Sequence, residues 1–355
     1  MSKTYKAAIY RDVGKVEVIE KEYPVCGDND VIVKNLMATI CGADYVAYKS
    51  DGEAQQIWKN YEFGHEMVSE VVEKGKNVTG VEIGDWIFPN MGYAYHDRKR
   101  MATVGGFSEY LLLPDYKADG NFDIPAVEYQ PSAIKLDKSL GLKNLCLLEP
   151  FAVGCKAANA VAGNGKKTAV VVGGGIIGLS TAIMLKYYGF EKIMIIDFSE
   201  FRLANAREFG MLTCNPKNEN LEEVLFENFG KRPAYGGMKC LAECWFDCIG
   251  IQPCIDYFFK HAGFGAVLSI VGVHHKPAQI DAVSVCYNNQ MIKGCGSSEK
   301  PMNYKQAFDD ICDCIRKGTD ISKTISHEYP LEKIEEALIM HGNFDQSQKI
   351  AISYT

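Results

Sequence analysis

The sequence predicts an α/β protein in which a doubly wound parallel sheet follows a separate β domain. Short strand-like segments fill residues 1 to about 150. A glycine-rich strand–turn–helix unit follows near residue 170, and strand-like and helix-like segments then alternate to about residue 295. This alternation is typical of βαβ units, which build parallel sheets with helices on both faces.

The chain is long enough for two domains. It has 355 residues, 47% of them hydrophobic, and single hydrophobic cores stop growing near about 250–300 residues. We expect a first domain at 1–155, a second at 156–295, and a C-terminal segment at 296–355 that returns to the first domain.

Hydrophobic periodicity and turn residues place the individual elements. In the first domain we predict strands within 4–10, 16–24, 31–41, 66–75 and 85–90, followed by a helix that stops at Gly163. In the second domain we predict strands at 170–172, 193–196, 267–272 and 282–286, with helices at 179–188, 221–229 and 252–262. The tail has amphipathic helix patterns at 303–318 and 330–340 and a last strand at 349–354.

The glycine-rich turn predicts a dinucleotide site. Gly173, Gly175 and Gly178 follow a β-branched strand in G-x-G-x-x-G spacing, and an apolar helix comes directly after them. The first glycine permits the tight turn, the second lets a pyrophosphate approach the backbone, and the third lets helix pack on strand. Asp197 ends the next strand, 22 residues after Gly175, where a carboxylate binds the ribose hydroxyls of NAD.

Charge at this position also favours one cofactor. Asp197 would accept two ribose hydroxyls and repel a 2′-phosphate, so NAD is favoured over NADP. Arg202 weakens this argument slightly, because a nearby arginine could meet a phosphate.

Four residues of the first domain carry metal-ligand chemistry: Cys41, His65, Glu66 and Glu149. A thiolate, an imidazole and a carboxylate with one open position are typical of catalytic zinc. Each residue also has a structural interpretation. Cys41 could be a buried apolar residue, His65 a hydrogen-bonded structural histidine, and the glutamates solvated or helix-capping. The residues alone leave both interpretations open.

Composition excludes several classes of function. The net charge of −7 and the isoelectric point near 5.6 argue against nucleic-acid binding. No apolar run approaches the roughly 20 residues of a membrane span. The N-terminal segment lacks the apolar core of a signal peptide, and thirteen cysteines are an odd number in a long chain. We therefore expect reduced thiols and a cytoplasmic protein.

An ordered set of motifs carries a family resemblance over nearly the whole chain. The chain resembles the zinc-dependent medium-chain dehydrogenases, in particular the polyol branch with sorbitol, threonine and polyol-phosphate dehydrogenases. The motifs are ICGAD (40–44), GHEMVSEVVEKGKNVTGVEIGDWI (64–87), GGFSEYLLLP (105–114), LLEPFAVGCKAA (147–158), GGGIIG (173–178), IIDFSEFRLANAREFG (195–210), FDCIG (246–250), AVLSIVGV (266–273), IKGC (292–295) and KIAI (349–352).

This resemblance implies a GroES-like β-barrel catalytic domain and a Rossmann domain, with the active site in the cleft between them. Cys41 and His65 would bind one catalytic zinc, and Glu66 and Glu149 compete for the third ligand position. The glutamate that does not bind zinc would hold the metal-bound water. The implied cofactor-binding residues are Gly173, Gly175, Ile177, Gly178, Asp197, Arg202 and Val273. Arg202 would lie against the adenine, and Val273 would line the nicotinamide pocket. The family also implies a homodimer or homotetramer.

Two departures from the family pattern stand out. The family often has a lobe with four cysteines that hold a structural zinc, whereas residues 86–106 contain no cysteine. We predict no structural zinc. The usual proton-relay hydroxyl and histidine are replaced by Ala43 and Val46. Proton transfer would then use water, a glutamate, a tyrosine such as Tyr48, or a substrate hydroxyl.

The leading hypothesis is an NAD-dependent zinc dehydrogenase. It would interconvert a secondary alcohol and a ketone in a polyol, sugar or sugar phosphate. One alternative is a zinc-free quinone or alkene reductase of the same superfamily, which should lack the cysteine–histidine–glutamate set. The other is a nucleotide-binding protein without catalysis, which the missing relay residues favour. Fold alone does not determine function. Metal content separates the leading hypothesis from both alternatives, because one zinc per chain supports the dehydrogenase and none supports either alternative.

Overall fold

The computed structural model describes residues 3–90, 105–120, 130–163, 165–294 and 302–354. Its contacts divide the chain into two compact units. Unit 1 comprises Met1–Glu149, Asn303–Lys305 and Ile315–Thr355, and unit 2 comprises Pro150–Met302 and Gln306–Cys314. The domain limits expected from the sequence, at 155/156 and 295/296, stay a prediction.

Unit 1 is built mainly of strands. Its described strands are β1 (Thr4–Asp12), β2 (Lys15–Glu22), β3 (Val31–Thr39), β4 (Tyr61–Glu62), β5 (Glu66–Lys74), β6 (Trp86–Pro89), β7 (Tyr110–Leu113), β8 (Ala133–Lys135), β17 (Ile325–Pro330) and β18 (Lys349–Ser353). Among these residues, β2-β1-β4 form one sheet, and β17-β18-β3-β5-β6-β8 form another with β7 paired to β3.

The pairing of β3 with β5 and β18 brings distant parts of the chain together. Strands β3 and β5 are antiparallel, with Thr39 opposite Glu66. The C-terminal strand β18 pairs with the other edge of β3, so that Ala351 lies opposite Thr39. The carboxyl end of β3 therefore lies between the start of β5 and the last strand of the chain.

Short helices complete unit 1. They are α1 (Gly42–Lys49), α2 (Leu142–Leu145) and α10 (Ile334–His341). Helix α1 begins where β3 ends, and the Asp44 carboxylate accepts a hydrogen bond from the Cys41 backbone N–H at 2.8 Å. This contact closes the first turn of the helix, because the side chain satisfies a backbone donor that the helix leaves free.

Unit 2 contains the predicted parallel sheet. Its described strands are β9 (Thr168–Val172), β10 (Lys192–Ile196), β11 (Leu212–Cys214), β14 (Cys244–Asp247), β15 (Val267–Ile270) and β16 (Met291–Gly294), in the order β11-β10-β9-β14-β15-β16. All neighbouring pairs are parallel. The central strands are apolar and buried on both faces, as expected when helices cover a parallel sheet.

The remaining α-helices lie mainly in unit 2. They are α3 (Leu148–Asn159), α4 (Ile176–Tyr187), α5 (Glu200–Glu208), α6 (Leu221–Phe229), α7 (Gln252–His261), α8 (Ala282–Tyr287) and α9 (Tyr304–Arg316). The core of unit 2 includes Val170, Met194, Trp245 and Phe258. No helix in the described part of the chain is long and apolar enough to cross a membrane.

Two local predictions were wrong or incomplete. Residues 282–286, predicted as a strand from their β-branched character, form helix α8. The Asp281 side chain accepts a hydrogen bond from the Ser284 N–H at 3.0 Å, and this N-cap outweighs the weak strand propensity of a short segment. The sequence also did not predict the hairpin of β12 (Lys231–Ala234) and β13 (Gly237–Cys240).

A buried histidine of unit 2 makes stability dependent on pH. Burial, followed by the charges of Lys260 and Lys239, lowers the pKa of His261 to about 4, and its Nδ1 has no hydrogen-bond partner among the described residues. Between pH values near 6.5 and 4, the unfolded chain therefore binds a proton that the folded chain does not. Stability falls as the pH drops through this window.

We predict that His261→Leu reduces this loss. The thermal midpoint of the variant should change less between about pH 7.5 and about pH 5 than that of the unmodified protein. Circular dichroism melts at both pH values would measure the difference. An identical pH dependence in the two proteins would contradict the assignment.

Candidate active site

Three metal-ligand side chains meet at the carboxyl end of β3. Cys41 follows β3, and His65 and Glu66 lie at the start of the neighbouring strand β5. One ligand atom from each lies within 4.8 Å of the other two. Glu66 is buried, whereas Cys41 and His65 are half-buried. The strand pairing thus brings together three of the four predicted metal ligands. Their proximity was not evident from the sequence, in which Cys41 lies 24 residues before His65.

The charges around His65 favour a bound cation. Burial by itself would lower the pKa of the imidazole, but Cys41, Asp44 and Glu149 together raise it well above its ordinary value. Burial raises the pKa of the Cys41 thiol, and His65 opposes this shift. Anionic groups that hold a proton on an imidazole would also attract a divalent metal ion, which binds thiolate and neutral imidazole.

Asp44 is a buried partner of this group that the sequence did not single out. Its side chain is fully buried, and one oxygen, Oδ1, has no hydrogen-bond partner in the described part of the chain and lies 4.0 Å from His65 Nδ1. Burial raises the pKa of Asp44 to about 6. A carboxylate in this place can orient an imidazole ligand, as outer carboxylates do in many metal sites.

Glu66 already has a cation beside it. Lys349 Nζ lies 2.5 Å from Glu66 Oε2, and the exposed fractions of the two side chains are 0% and 2%. The Thr39 hydroxyl donates to the same oxygen, and Lys349 also donates to the Ile40 carbonyl at 2.7 Å. Burial would lower the pKa of Lys349, but Glu66 raises it above its usual value. Lys349 therefore keeps its positive charge beside the Glu66 side chain.

Glu149 forms no direct ion pair with a lysine or arginine among the described residues. Its exposed fraction is 6%, and in the described residues its hydrogen-bond partner is Tyr304, whose hydroxyl donates to Oε1 at 3.1 Å. Burial and the charge of Glu66 raise the pKa of Glu149, whereas His65 and Lys349 lower it. Glu149 therefore lies within electrostatic reach of the other ligands, although it is not part of the compact group of three.

The residues that replace the family's proton relay offer no acid–base group. Ala43 and Val46 both lie in helix α1. Tyr48, a candidate from the sequence, donates its hydroxyl to Glu335 Oε1 at 3.0 Å. This hydroxyl is therefore engaged with helix α10. The region in which we predicted no structural zinc falls mostly on 91–104, outside the described residues.

The predicted dinucleotide residues of unit 2 surround one turn. Gly173 follows β9 with φ of +103°, which glycine adopts without strain. Gly175 is the N-cap of α4, and an added Cβ at Gly178 would lie 1.8 Å from the Gly173 carbonyl oxygen. The three glycines therefore permit a turn that no other residue would allow at the first and third positions.

The acid at the end of β10 binds this turn. Asp197 Oδ2 accepts the Gly174 N–H at 2.6 Å, and Oδ1 accepts the Ser199 N–H at 2.7 Å. The side chain of Arg202 lies beside the positions that Cβ atoms of Gly174 and Gly175 would occupy. Asp197 and Arg202 are therefore both adjacent to the turn, and Ile177 lies in the first turn of α4.

Val273 lies on the loop after β15 and is 72% exposed. The next residue, His274, pairs through Nε2 with Asp247 Oδ2 at 2.6 Å. Asp247 Oδ1 also accepts the N–H groups of Ile249 and Gly250 after β14. The pair thus joins the loops after two adjacent strands, at the sheet edge where dinucleotides bind. A cavity of about 450 Å³ is lined there by Ile270, Gly272, His274, His275, Lys276, Pro277 and Ala278.

Comparison with known proteins agrees with this arrangement. Residues 27–119 match the alcohol dehydrogenase GroES-like domain, and residues 177–313 match the zinc-binding dehydrogenase model. L-threonine 3-dehydrogenase of Pseudoalteromonas translucida is 25% identical over 350 residues, which cover 93% of this chain and 94% of the relative.

Two solved structures share the fold. 2R,3R-butanediol dehydrogenase from Bacillus subtilis has a TM-score of 0.78 and 20% identity, with 99% of this chain and 100% of that chain covered. L-idonate 5-dehydrogenase from Escherichia coli has a TM-score of 0.75 and 18% identity, with 100% and 99% covered.

The chain belongs to the zinc-dependent medium-chain dehydrogenase family. The GroES-like match lies within unit 1, and the zinc-binding dehydrogenase match lies mainly within unit 2. The protein is therefore an oxidoreductase of the alcohol dehydrogenase type, a class that uses a nicotinamide dinucleotide and zinc. The thiol of Cys41, the imidazole of His65 and the carboxylate of Glu66 fit zinc in chemical type and in proximity.

The Gly178 contact gives a direct prediction for this dehydrogenase. Gly178→Ala should force the turn to move and weaken NADH binding by roughly tenfold or more, because overpacking costs about 1–3 kcal/mol. Fluorescence titration with NADH would measure the dissociation constant. Gly294→Ala is a matched control in unit 2, since its added Cβ would meet no atom of the described residues within 4 Å. Equal affinity in both variants would refute the proposed contact.

The buried ion pair gives a second prediction. Lys349→Met should leave the Glu66 carboxylate buried without its cation and reduce the stability of chelator-treated protein by about 3–5 kcal/mol. The double variant Lys349→Met/Glu66→Gln should recover much of this loss, because neither charge remains. Urea unfolding of the two variants and the unmodified protein would test this. If the single and double variants unfold at the same urea concentration, the pair does not stabilise the fold.

Proposed function

We propose that the protein is an NAD-dependent, zinc-assisted dehydrogenase that interconverts a secondary alcohol and a ketone. We assign its substrate to the polyols, sugars and sugar phosphates. The observation that carries the proposal is the compact group of Cys41, His65 and Glu66 with Glu149 nearby. The names of the threonine 3-, butanediol and idonate 5-dehydrogenases refer to oxidation at non-terminal carbons, which supports a secondary alcohol.

The choice of NAD over NADP depends on Asp197. Both of its oxygens accept a backbone N–H from the turn region, and each retains further acceptor capacity for a ribose hydroxyl. A 2′-phosphate at the same place would be repelled by the carboxylate. Arg202 lies beside the glycine turn, and we place it against the adenine of NAD.

For the metal we propose one catalytic zinc per chain, held by Cys41, His65 and one glutamate. Both glutamates are close enough to interact electrostatically with His65 or Cys41. Glu66 forms a direct ion pair with Lys349, whereas the direct partner of Glu149 among the described residues is the neutral Tyr304 hydroxyl. We therefore assign the ligand position to Glu149 and place Glu66 beside the site, where it can hold water. Bound zinc would supply Lewis-acid polarisation of the reacting oxygen.

The protein's own groups then have separate tasks. Asp44 orients the His65 imidazole, and the Lys349–Glu66 pair keeps the start of β5 in place. Because Ala43 and Val46 cannot carry a proton, we propose that Glu66 exchanges it with water. In unit 2 the glycine turn and Asp197 bind the dinucleotide, whose nicotinamide supplies the hydride chemistry.

Further parts of the proposal concern the cellular compartment, the oligomeric state and structural zinc. The described cysteines are all free thiols, which supports a reducing compartment, and we propose the cytoplasm. We also propose a homodimer or homotetramer, in keeping with the family resemblance. Because residues 86–106 contain no cysteine, we propose that the chain has no structural zinc.

A substrate panel tests the whole proposal. Purified protein is offered polyols, ketoses and their phosphates with NAD or NADP, and the reduced-nicotinamide absorbance is followed before and after chelation. We expect turnover with NAD, loss of turnover after chelation, and recovery with zinc. Asp197→Ala should reduce the preference for NAD, because the repelling carboxylate is gone.

Other results would favour a different function. Turnover that persists after the metal has demonstrably been removed would refute the zinc mechanism and favour a zinc-free reductase. Bound NADH and zinc without turnover on any member would refute the substrate class and favour a protein that only binds the nucleotide. A preference for NADP in the unmodified protein would refute the role given to Asp197.

A further inference from the structure

Tyr304 donates the hydrogen bond to Glu149. It is the first residue of helix α9 and is half-buried. Its ring stacks on Phe88 of β6, with centroids 6.4 Å apart and planes inclined by 29°. Residues 303–305 belong to unit 1, as does Glu149, so this contact lies within one unit. The stacking restricts the ring, and the ring in turn places the hydroxyl on Glu149 Oε1 at 3.1 Å.

This hydroxyl is the donor in the contact with Glu149. An ionised carboxylate can only accept hydrogen bonds, so the phenol donates to it. A carboxylate has two oxygens with about four acceptor positions. One hydrogen bond to Oε1 leaves Oε2 open for another partner.

The two glutamates, Glu66 and Glu149, differ in the charge of the groups that contact them. Lys349 and Thr39 both contact Oε2 of Glu66, and a full positive charge is among these partners. Glu149 receives a neutral hydroxyl, which fixes its orientation without neutralising its charge. A carboxylate that is oriented but still negative is the form that a zinc ligand requires.

We propose that Tyr304 is a positioning residue for Glu149: its hydroxyl holds Oε1 and thereby presents the carboxylate to the catalytic zinc. The proposal rests on the proposed zinc function and adds to it a residue that does not itself bind metal. Outer groups of this kind typically contribute 10–100-fold to metal affinity. The sequence motifs did not point to Tyr304, which lies 155 positions after Glu149.

The chain offers a closely matched control. Tyr48 donates to Glu335 at 3.0 Å, again from a tyrosine hydroxyl to a glutamate in unit 1. This glutamate is not among the groups that interact with His65. Tyr48→Phe and Tyr304→Phe therefore delete the same kind of hydrogen bond, but only the second lies at the candidate metal ligands.

The test measures zinc affinity without turnover. Full-length metal-free protein is titrated with zinc in competition with a chromophoric chelator, and circular dichroism melts verify folding. We expect Tyr304→Phe to bind zinc about 10–100-fold more weakly, and Tyr48→Phe to bind it as the unmodified protein does. NADH affinity should be the same in all three proteins. In a Glu149→Gln background, Tyr304→Phe should have little further effect on zinc affinity, because its partner has changed.

Several outcomes would overturn the proposal. Unchanged zinc affinity in Tyr304→Phe would show that the hydroxyl does not position a ligand. Equal weakening in Tyr48→Phe would show that the loss is a general structural effect. Loss of zinc in Glu66→Gln but not in Glu149→Gln would show that the wrong carboxylate was assigned. Unmodified protein that binds no zinc would instead refute the proposed function itself.

Discussion

The buried ion pair between Glu66 and Lys349 is the interaction on which the candidate site most depends. It joins the first residue of β5 to the first residue of β18, 283 positions later, and the lysine also contacts the Ile40 carbonyl next to Cys41. One ammonium group thereby links three segments that surround the candidate ligands. Removing either partner of such a pair leaves an uncompensated buried charge, which is far more costly than the pair itself. The pair therefore constrains both the last strand and the backbone that carries Cys41 and His65.

Around this ion pair, unit 1 buries several acidic groups beside a single imidazole. Cys41, Asp44 and Glu149 all act on the one imidazole of His65, and both carboxylates are buried. Burying charged groups without compensation is unfavourable, so the packing of the surrounding strands must offset the free-energy cost of the metal-free site. A divalent cation would relieve this cost, and its binding energy would add to the stability of the folded chain. Metal binding and folding of unit 1 are thus expected to be coupled.

The sequence predicted the local features of this protein far better than its long-range contacts. The glycine turn, the acid after β10 and the parallel sheet follow from patterns within about 30 residues, because each depends on local backbone geometry and strand–helix alternation. Helix α8 was mistaken for a strand because a single N-cap at Asp281 decided its conformation. Lys349 and Tyr304 could not have been paired with Glu66 and Glu149, since no local pattern joins residues so far apart. A lysine that begins a buried apolar strand was the only available signal, and it indicates a buried charge without identifying its partner.

The same distance explains why the two glutamates could not be ranked from sequence. Glu66 follows His65 directly and has the more suggestive position in the chain, yet its environment provides a cation and a hydroxyl on one oxygen. Glu149 follows a buried apolar segment, and its direct partner among the described residues is a neutral donor. Identical side chains can take different roles when their surroundings differ in charge, as paired catalytic carboxylates commonly do. We infer that Lys349 frees Glu66 from binding the metal, and that Tyr304 prepares Glu149 to bind it. In this proposal, the division of roles between the two carboxylates is set by Lys349 and Tyr304, neither of which we propose as a metal ligand.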